Sequence, residues 1–194
     1  MLNELLIKTR SHRTFDSTEI DIETLESLIN SAHLGGSARN SQTLRYTLVS
    51  SQSLCHKIFP HTAWAGAIPW SPTLEEGPKA YILISTLKEN LLSPITLGID
   101  IGIACQNILL KATELGFGGC LIGAFNKLDV SKTLDLDMDT YNPQILVALG
   151  KPTDKVILTK GNTSNLKYHR DVEENVHYVP KPVSYTHLTL PTKR

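Results

Sequence analysis

The chain has 194 residues, 41% hydrophobic and 20% charged, and its 19 basic side chains balance its 19 acidic ones. A neutral chain without a basic cluster argues against nucleic-acid binding, and this composition argues against disorder. The length is enough for one sizeable core, so we expect a single domain.

The first third of the chain is predicted to hold two helices and a strand. A short helix fits residues 2–8, and a second fits 22–33, where apolar side chains recur at helical spacing and Asp21 can cap the start. Two glycines end the second helix. A polar loop, SARNSQT, then leads into the β-branched stretch YTLVS at 46–50, which favours a strand.

A long excursion follows a helical segment at 51–59. Residues 61–78 hold Trp64 and Trp70 without a regular period, and loops of this length in compact domains often carry function. The two tryptophans either roof a ligand pocket or simply anchor the loop to the core.

The second half of the chain is predicted to hold buried strands around a long helix. KAYILIST at 79–86 and ILVALG at 145–150 are short apolar runs that fit buried strands. Residues 93–115 form the longest helix, apolar enough to lie in the middle of the fold, and glycines end it before the run CLIGAF. The remainder is interpreted as an extended arm. The pattern predicts an α+β sandwich in which helices wrap a small mixed sheet.

Residues 183–194, VSYTHLTLPTKR, resemble the translated read-through of a sequencing adapter, although a genuine tail is the alternative. We exclude them from the fold, as for any non-native scar, and expect the native C-terminus to be missing. Their removal takes away two basic residues and no acid.

The chain is expected to be soluble and cytoplasmic, with no membrane segment. It contains no run of about 18 apolar residues, and its N-terminus is charged where a signal peptide would be apolar. Its three cysteines are widely spaced and form no CxxC, which favours reduced thiols over disulfides.

The sequence lacks the motifs of several common classes of enzyme. The sequence has no P-loop, no HExxH and no GxSxG, and the glycines of LGFGGCLIG do not match GxGxxG. We therefore expect no metal site, no Rossmann fold and no hydrolase triad.

Three polar or glycine-rich segments remain. Arg10, Ser11 and Arg13 offer two guanidinium forks and a hydroxyl, which suit a phosphate monoester, although a solvated charged turn is the alternative. The amides of the loop at 37–42 suit a heterocyclic or polyhydroxylated ligand, or else form an ordinary connection. The small residues at 118–125 let a flat ligand approach main-chain N–H groups, or else form a tight turn.

Taken in order, these segments resemble the nitroreductase family of FMN-dependent flavoproteins. The matching motifs are RSHRTFD at 10–16, SARNSQTLRY at 37–46 and DIGIACQNILLKATELGFGGCLIGAF at 100–125. ILVALGKP and KYHRDVEENVHYVPK are similar to the family's later strand and closing arm, so the resemblance covers residues 1–182.

The resemblance implies an intertwined homodimer with two FMN sites at its interface. It implies that Arg10 and Ser11 bind the FMN phosphate and ribityl chain, while Arg13 reaches the pyrimidine edge and favours the anionic reduced flavin. The other implied contacts are Ser37, Asn40 and Gln42 to the partner's flavin, Leu121, Ile122 and Gly123 along one flavin face, and Lys181 at the phosphate.

Three positions depart from the family's pattern. Thr9 precedes Arg10, at a position where many relatives carry a second arginine. Pro182 follows Lys181, at a position where relatives often carry an arginine. The phosphate site is therefore expected to use fewer charges. Thr43 replaces a proline, which is expected to loosen the preceding loop.

The implied activity is ping-pong transfer of a hydride from NAD(P)H through flavin N5 to a small acceptor such as a nitroaromatic or a quinone. The cofactor carries the chemistry, so no side chain is assigned as nucleophile or base. Two alternatives stay open at this point: a flavin-fragmenting or dehalogenating member of the same superfamily, and a non-catalytic flavin-binding module for storage or sensing.

Overall fold

The computed structural model describes residues 2–64, 66, 68–160 and 167–181. The chain divides into two compact units, Met1–Asp154 and Lys155–Arg194. The single domain expected over residues 1–182 stays a prediction, and the adapter-like residues 183–194 lie outside the described residues.

The helices of the first unit mostly match the sequence pattern. Asp21 caps α2 by accepting a hydrogen bond from the Thr24 amide at 2.8 Å, and Ser93 caps α4 in the same way from Thr96 at 3.2 Å. The sequence analysis missed α5, which is short and starts at the cap Asn126. The helices are α1 (Leu2–Lys8), α2 (Ile22–His33), α3 (Gln52–Ile58), α4 (Pro94–Glu114) and α5 (Lys127–Thr133).

Four strands of the first unit form an antiparallel sheet in the order β1-β2-β4-β3. The fourth strand begins four residues earlier than its apolar run, because Pro143 is accommodated at a register irregularity beside Ile84 and Ser85. The strands are β1 (Leu44–Val49), β2 (Ala80–Leu87), β3 (Gly118–Ile122) and β4 (Tyr141–Gly150).

Hydrophobic cores lie on both faces of this sheet, and the period-two alternation of β2 separates them. Ala80, Ile82 and Ile84 face a cluster that includes α2 and α4, whereas Tyr81 and Leu83 face a second cluster. Burial on both faces explains why β2 is a continuous apolar run and why its strand is predictable from sequence. The α+β class is confirmed.

Helix α4 is less enclosed than its sequence suggests. Its buried stripe includes Asp100, Ala104 and Ile108, but Ile95 and Ile99 on its N-terminal half are 79% and 58% exposed. Among the described residues, α4 is one helix that is long and apolar enough to cross a membrane, and 28% of its apolar 18-residue stretch is buried. Core helices of globular proteins can have the same length and composition, and α4 packs extensively on α2.

The segment at 61–78 is anchored at several points. Trp64 is buried in the second cluster, its ring lies beside Phe59, and its Nε1 donates a hydrogen bond to the Thr62 hydroxyl at 2.8 Å. Pro72 and Pro78 are buried as well. The segment expected to be a surface excursion is thus a loop whose apolar residues pack on the core, because exposing them to water would cost free energy.

The second unit contains a small mixed sheet in the order β5-β7-β6, with β5 parallel and β6 antiparallel to β7. Its strands are β5 (Lys155–Lys160), β6 (His169–Asp171) and β7 (Val176–Lys181), and the rings of His169 and Tyr178 stack across β6 and β7. The extended arm expected here is therefore strand-paired, a long-range pairing that local composition does not reveal.

Candidate functional site

Residues Arg10, Ser11, His12 and Arg13, here called the RSHR segment, run alongside the edge strand β3. Ser11 forms a parallel bridge with Gly119, and the His12 amide donates a hydrogen bond to the Gly119 carbonyl at 3.0 Å. This pairing brings together two segments that are more than 100 residues apart in the sequence. Both segments are assigned to one ligand, so they have to lie close together in the fold.

A buried carboxylate holds the same segment from the other side. His12 Nδ1 lies 2.8 Å from one oxygen of Asp154, and the Arg13 amide donates to the other oxygen at 3.1 Å. The Asp154 side chain has no solvent exposure. Hydrogen bonds that are shielded from water are stronger than exposed ones, so these two bonds give the segment a fixed course.

The two arginines of the RSHR segment are both half-buried. Arg10 donates through Nη2 to the Leu6 carbonyl, while its buried Nε has no hydrogen-bond partner among the described residues. Arg13 lies near Cys120, where its charge opposes the burial that raises the pKa of that thiol to about 12. Two neighbouring guanidinium groups, one of them with an unpartnered Nε, suit an anionic ligand.

Residues 37–42, here called the SARNSQ loop, are anchored on α4. Asp100, which is 4% exposed, accepts hydrogen bonds from the Ser37 hydroxyl and the Ala38 amide, each at 3.1 Å. Ser37 Oγ in turn accepts from the Gln42 amide at 3.0 Å, which closes the loop. Ser37 therefore organises the loop, and its predicted contact with a ligand would be an additional role.

The SARNSQ loop has an unusual backbone. Arg39, Asn40 and Gln42 have positive φ values of 56°, 53° and 48°, which cost free energy in residues other than glycine. The Asn40 and Gln42 side chains are exposed and bond to each other at 3.0 Å. Such strain is concentrated at functional sites, where the surrounding structure maintains it.

The loop borders a cavity of about 350 Å³ whose lining combines amides of the loop with aromatic, small and charged residues. Its lining includes Gly36, Ser37, Asn40, Gln42, Tyr46 and Asp100. Desolvation raises the pKa of the Tyr46 hydroxyl to about 12, so it is neutral at physiological pH. The cavity is thus an amide-rimmed recess, with the Asp100 carboxyl and the Arg45 guanidinium also in its lining, and it has room for part of a flat ligand.

The RSHR segment and the SARNSQ loop belong to opposite edges of the main sheet. The loop leads directly into β1, the RSHR segment pairs with β3, and β2 and β4 lie between them. Three strand spacings of about 4.8 Å separate the two edges. Each segment is therefore well formed within a single chain, at one of the two sides of the sheet.

The residues at the end of β3 differ in where they point. Leu121 is 44% exposed, whereas Ile122 is buried in the second cluster, so only the main chain of Ile122 is left for the contact assigned to it. Gly123 is exposed, and in the part of the chain that the structure describes only its two chain neighbours come within 4 Å of the position that a Cβ would take there. The end of the strand thus offers an open main-chain surface.

Of the remaining assigned residues, Trp70 is half-buried against the second cluster and Lys181 is exposed at the end of β7. The burial of Trp64 agrees with the anchoring alternative, and a pocket role for either tryptophan stays a prediction. Lys181 lies in the second unit.

All three cysteines are free and buried. Burial raises the pKa of Cys55, Cys105 and Cys120 to about 12, so each thiol is protonated at neutral pH. These thiols are structural, as expected. Among the described residues, no group of three or more His, Cys, Asp or Glu is arranged to hold a metal ion.

Sequence reasoning missed the two aspartates that hold these segments. Asp100 had a signal, because it lies four residues before Ala104 on the buried stripe of an apolar helix, where an acid needs partners. Asp154 had none, since its partners lie 142 and 141 residues away.

The residues fit the FMN that the resemblance implies. The unpartnered Nε of Arg10 and the guanidinium of Arg13 suit the phosphate and the electron-rich ring edge. The open surface at Gly123 and the amide-rimmed cavity suit a flat heterocycle with donors and acceptors.

Comparisons with known proteins agree on one family. The family model described as "Nitroreductase family" matches residues 6–151. A search of the curated proteins found no match.

Solved structures with this fold cover most of the chain. A nitroreductase family protein from Clostridium novyi NT is 25% identical, with a TM-score of 0.66 over 95% of this chain and 97% of its own. A structure described as a nitroreductase in complex with FMN, from Desulfovibrio desulfuricans, is 19% identical, with a TM-score of 0.69 over 88% and 96%. One described as an NAD(P)H:FMN oxidoreductase, from Staphylococcus epidermidis ATCC 12228, is 20% identical, with a TM-score of 0.64 over 79% and 88%.

Proposed function

The chain belongs to the nitroreductase family, a family of oxidoreductases, and from that premise we propose that it transfers a hydride from NAD(P)H to a small acceptor such as a nitroaromatic or a quinone. FMN, when bound, supplies the two-electron chemistry. The observation that carries the proposal is the RSHR segment, which has two half-buried arginines and is fixed on β3, the strand that leads into the exposed Gly123. The names of the Desulfovibrio and Staphylococcus structures support this choice of cofactor and donor.

In this proposal the RSHR segment binds the charged parts of FMN. Arg10 and Ser11 hold the phosphate and ribityl chain, and Arg13 lies at the pyrimidine edge, where a fixed cation favours negative charge. Because Thr9 stands where many relatives carry an arginine, Arg10 bears more of the phosphate's charge than it would in those relatives.

The second half of each site comes from another copy of the chain. Asn40 and Gln42 present amides to the flavin bound by the partner, and Ser37 keeps them in place. The separation of the two segments across the sheet supports a shared site. So does the apolar strip formed by Leu91, Ile95 and Ile99, which are 98%, 79% and 58% exposed and would be covered in a dimer.

The flavin face is formed by the end of β3. Leu121 contributes its exposed side chain, and Ile122 and Gly123 contribute main-chain groups. Trp70, half-buried in the segment at 61–78, is the better placed of the two tryptophans to contact an acceptor, because Trp64 is 8% exposed. We assign the protein to the cytoplasm, where three free thiols are stable.

Anaerobic titration of the purified protein tests this function. We expect a bound flavin whose visible absorbance bleaches with NADH or NADPH and returns when a nitroaromatic or quinone is added. The electrons then appear as reduced acceptor in stoichiometric amount. Controls without nucleotide, and with nucleotide and free FMN, establish that the protein is required.

The other outcomes separate the alternatives. A flavin that neither nucleotide reduces would contradict the proposed donor. Slow reduction without turnover of any acceptor indicates a flavin-binding module. Loss of the flavin itself to fragments after reduction in oxygen, seen by mass spectrometry, indicates a flavin-fragmenting enzyme.

A further inference from the structure

Both segments assigned to the flavin site are held by a buried aspartate that the family resemblance does not assign to the ligand. Asp154 binds the His12 side chain and the next main-chain amide, that of Arg13. Asp100 binds the Ser37 side chain and the next main-chain amide, that of Ala38. The same pattern of side chain i and amide i+1 on one carboxylate thus occurs twice, at unrelated places in the sequence.

Asp154 and Asp100 are buried, with 5% and 4% of the whole residue exposed. The stability of each carboxyl group in the folded state therefore depends on its hydrogen-bond partners. A buried carboxylate that loses a donor is left with an uncompensated desolvation cost. The aspartates and the segments therefore stabilise each other, and each segment has little freedom to leave its position.

We propose that Asp100 and Asp154 are positioning residues that preorganise the two halves of the flavin site, one for each segment; this inference rests on the proposed function. Asp154 fixes the amide of Arg13 and so sets where its guanidinium projects. Asp100 fixes the first turn of a loop whose later residues, Asn40 and Gln42, are held at positive φ. Preorganisation of this kind raises affinity because the loop is ordered before the ligand arrives.

The geometry around Ser37 shows how the anchor reaches the ligand-facing residues. Asp100 orients the Ser37 hydroxyl, that hydroxyl accepts the Gln42 amide, and the Gln42 side chain donates to Asn40. Four groups are thus connected in series from α4 to the exposed amides. Loss of the Asp100 carboxylate is expected to let Asn40 and Gln42 relax from their positive φ values.

The test uses the isosteric variants Asp100→Asn and Asp154→Asn, with Asn107→Ala as the matched control. Asn107 also lies on α4 and donates to a backbone carbonyl of another helix, that of Ser31, at 3.2 Å. Hydrogen exchange in the apoprotein reports each segment without any ligand. The FMN dissociation constant reports the consequence for the site, and exchange in β2 reports global stability.

We expect a crossed pattern. Asp100→Asn accelerates exchange at residues 37–42 and leaves residues 10–13 unchanged, Asp154→Asn does the reverse, and each raises the FMN dissociation constant about tenfold or more. Asn107→Ala changes neither segment. Ser37→Ala combined with Asp100→Asn is expected to weaken FMN by little more than the larger single effect, because both act through one connection.

Three results would overturn the proposal. These are unchanged exchange in the segment that the altered aspartate contacts, acceleration of both segments together with β2, and local acceleration without any change in FMN affinity. Failure of the unaltered protein to bind FMN would instead refute the proposed function, and the exchange pattern would then decide whether the aspartates anchor the segments.

Discussion

Replacement of Arg13 by alanine is expected to give a folded protein that binds FMN about 100-fold more weakly and reduces it more slowly. Two charge-assisted hydrogen bonds from one guanidinium account for a loss of this size. Slower reduction follows because the reduced flavin gains negative charge that the cation no longer offsets. The measurements are FMN titration of the apoprotein and stopped-flow reduction by NAD(P)H at saturating flavin.

Two variants control for this result. Arg13→Lys keeps the charge but not the planar fork, so an intermediate affinity is expected. Lys57→Ala removes an exposed cation of α3 and should leave both measurements unchanged, since surface charges far from a site act weakly in salt. Normal affinity and reduction in Arg13→Ala would refute the role given to this residue.

Replacement of Ile99 by lysine is expected to give a monomer that loses FMN. Ile99 is the part of the apolar strip that lies beside Gly98 and Gly102 on α4. Among the described residues, nothing but α4's own backbone and the glycines' chain neighbours comes within 4 Å of where a Cβ would stand on either glycine, so another backbone can approach closely. A lysine there buries an unpaired charge on association, which would weaken the dimer by about 100-fold or more. Sedimentation velocity at micromolar concentration measures the mass, and absorbance measures the bound flavin.

The matched control places the same charge on another exposed apolar residue. Leu128 on α5 is 53% exposed, close to the 58% of Ile99, and lies outside the strip. Leu128→Lys is expected to keep the mass and the flavin of the unaltered protein. A dimer that persists with full FMN in Ile99→Lys would show that the strip on α4 is not the contact between protomers.

The elements that the sequence predicts well are those whose pattern is local. The buried run of β2 and the capped helix at 22–33 are examples, because burial on two faces and the Asp21 cap are both visible in a few residues. The motif at 10–13 was also recognisable, as a dense group of donors. Its attachment to Gly119 was not, because a bridge to an edge strand depends on the folded chain.

Side-chain direction was the least predictable property of the site. Ile122 alternates into the core while its neighbour Leu121 points outward, as the period of a strand requires, although both were assigned to one flavin face. Ser37 was assigned to the ligand, but its hydroxyl donates a hydrogen bond to Asp100 and accepts one from the Gln42 amide. The strand pairing after residue 155 escaped prediction because β7 pairs with a segment some twenty residues away.

A flavin site shared between two protomers is tested most directly by mixing subunits. Arg13→Ala impairs the half-site of its own chain, and Asn40→Ala with Gln42→Ala impairs the half-site that the chain gives to its partner. In a heterodimer isolated with two different tags, one site receives both intact halves and the other receives both impaired halves. We predict one tightly bound FMN per heterodimer and about half of the unaltered activity, although both parent homodimers bind FMN weakly. A heterodimer that binds FMN no more tightly than its parents would contradict the shared site.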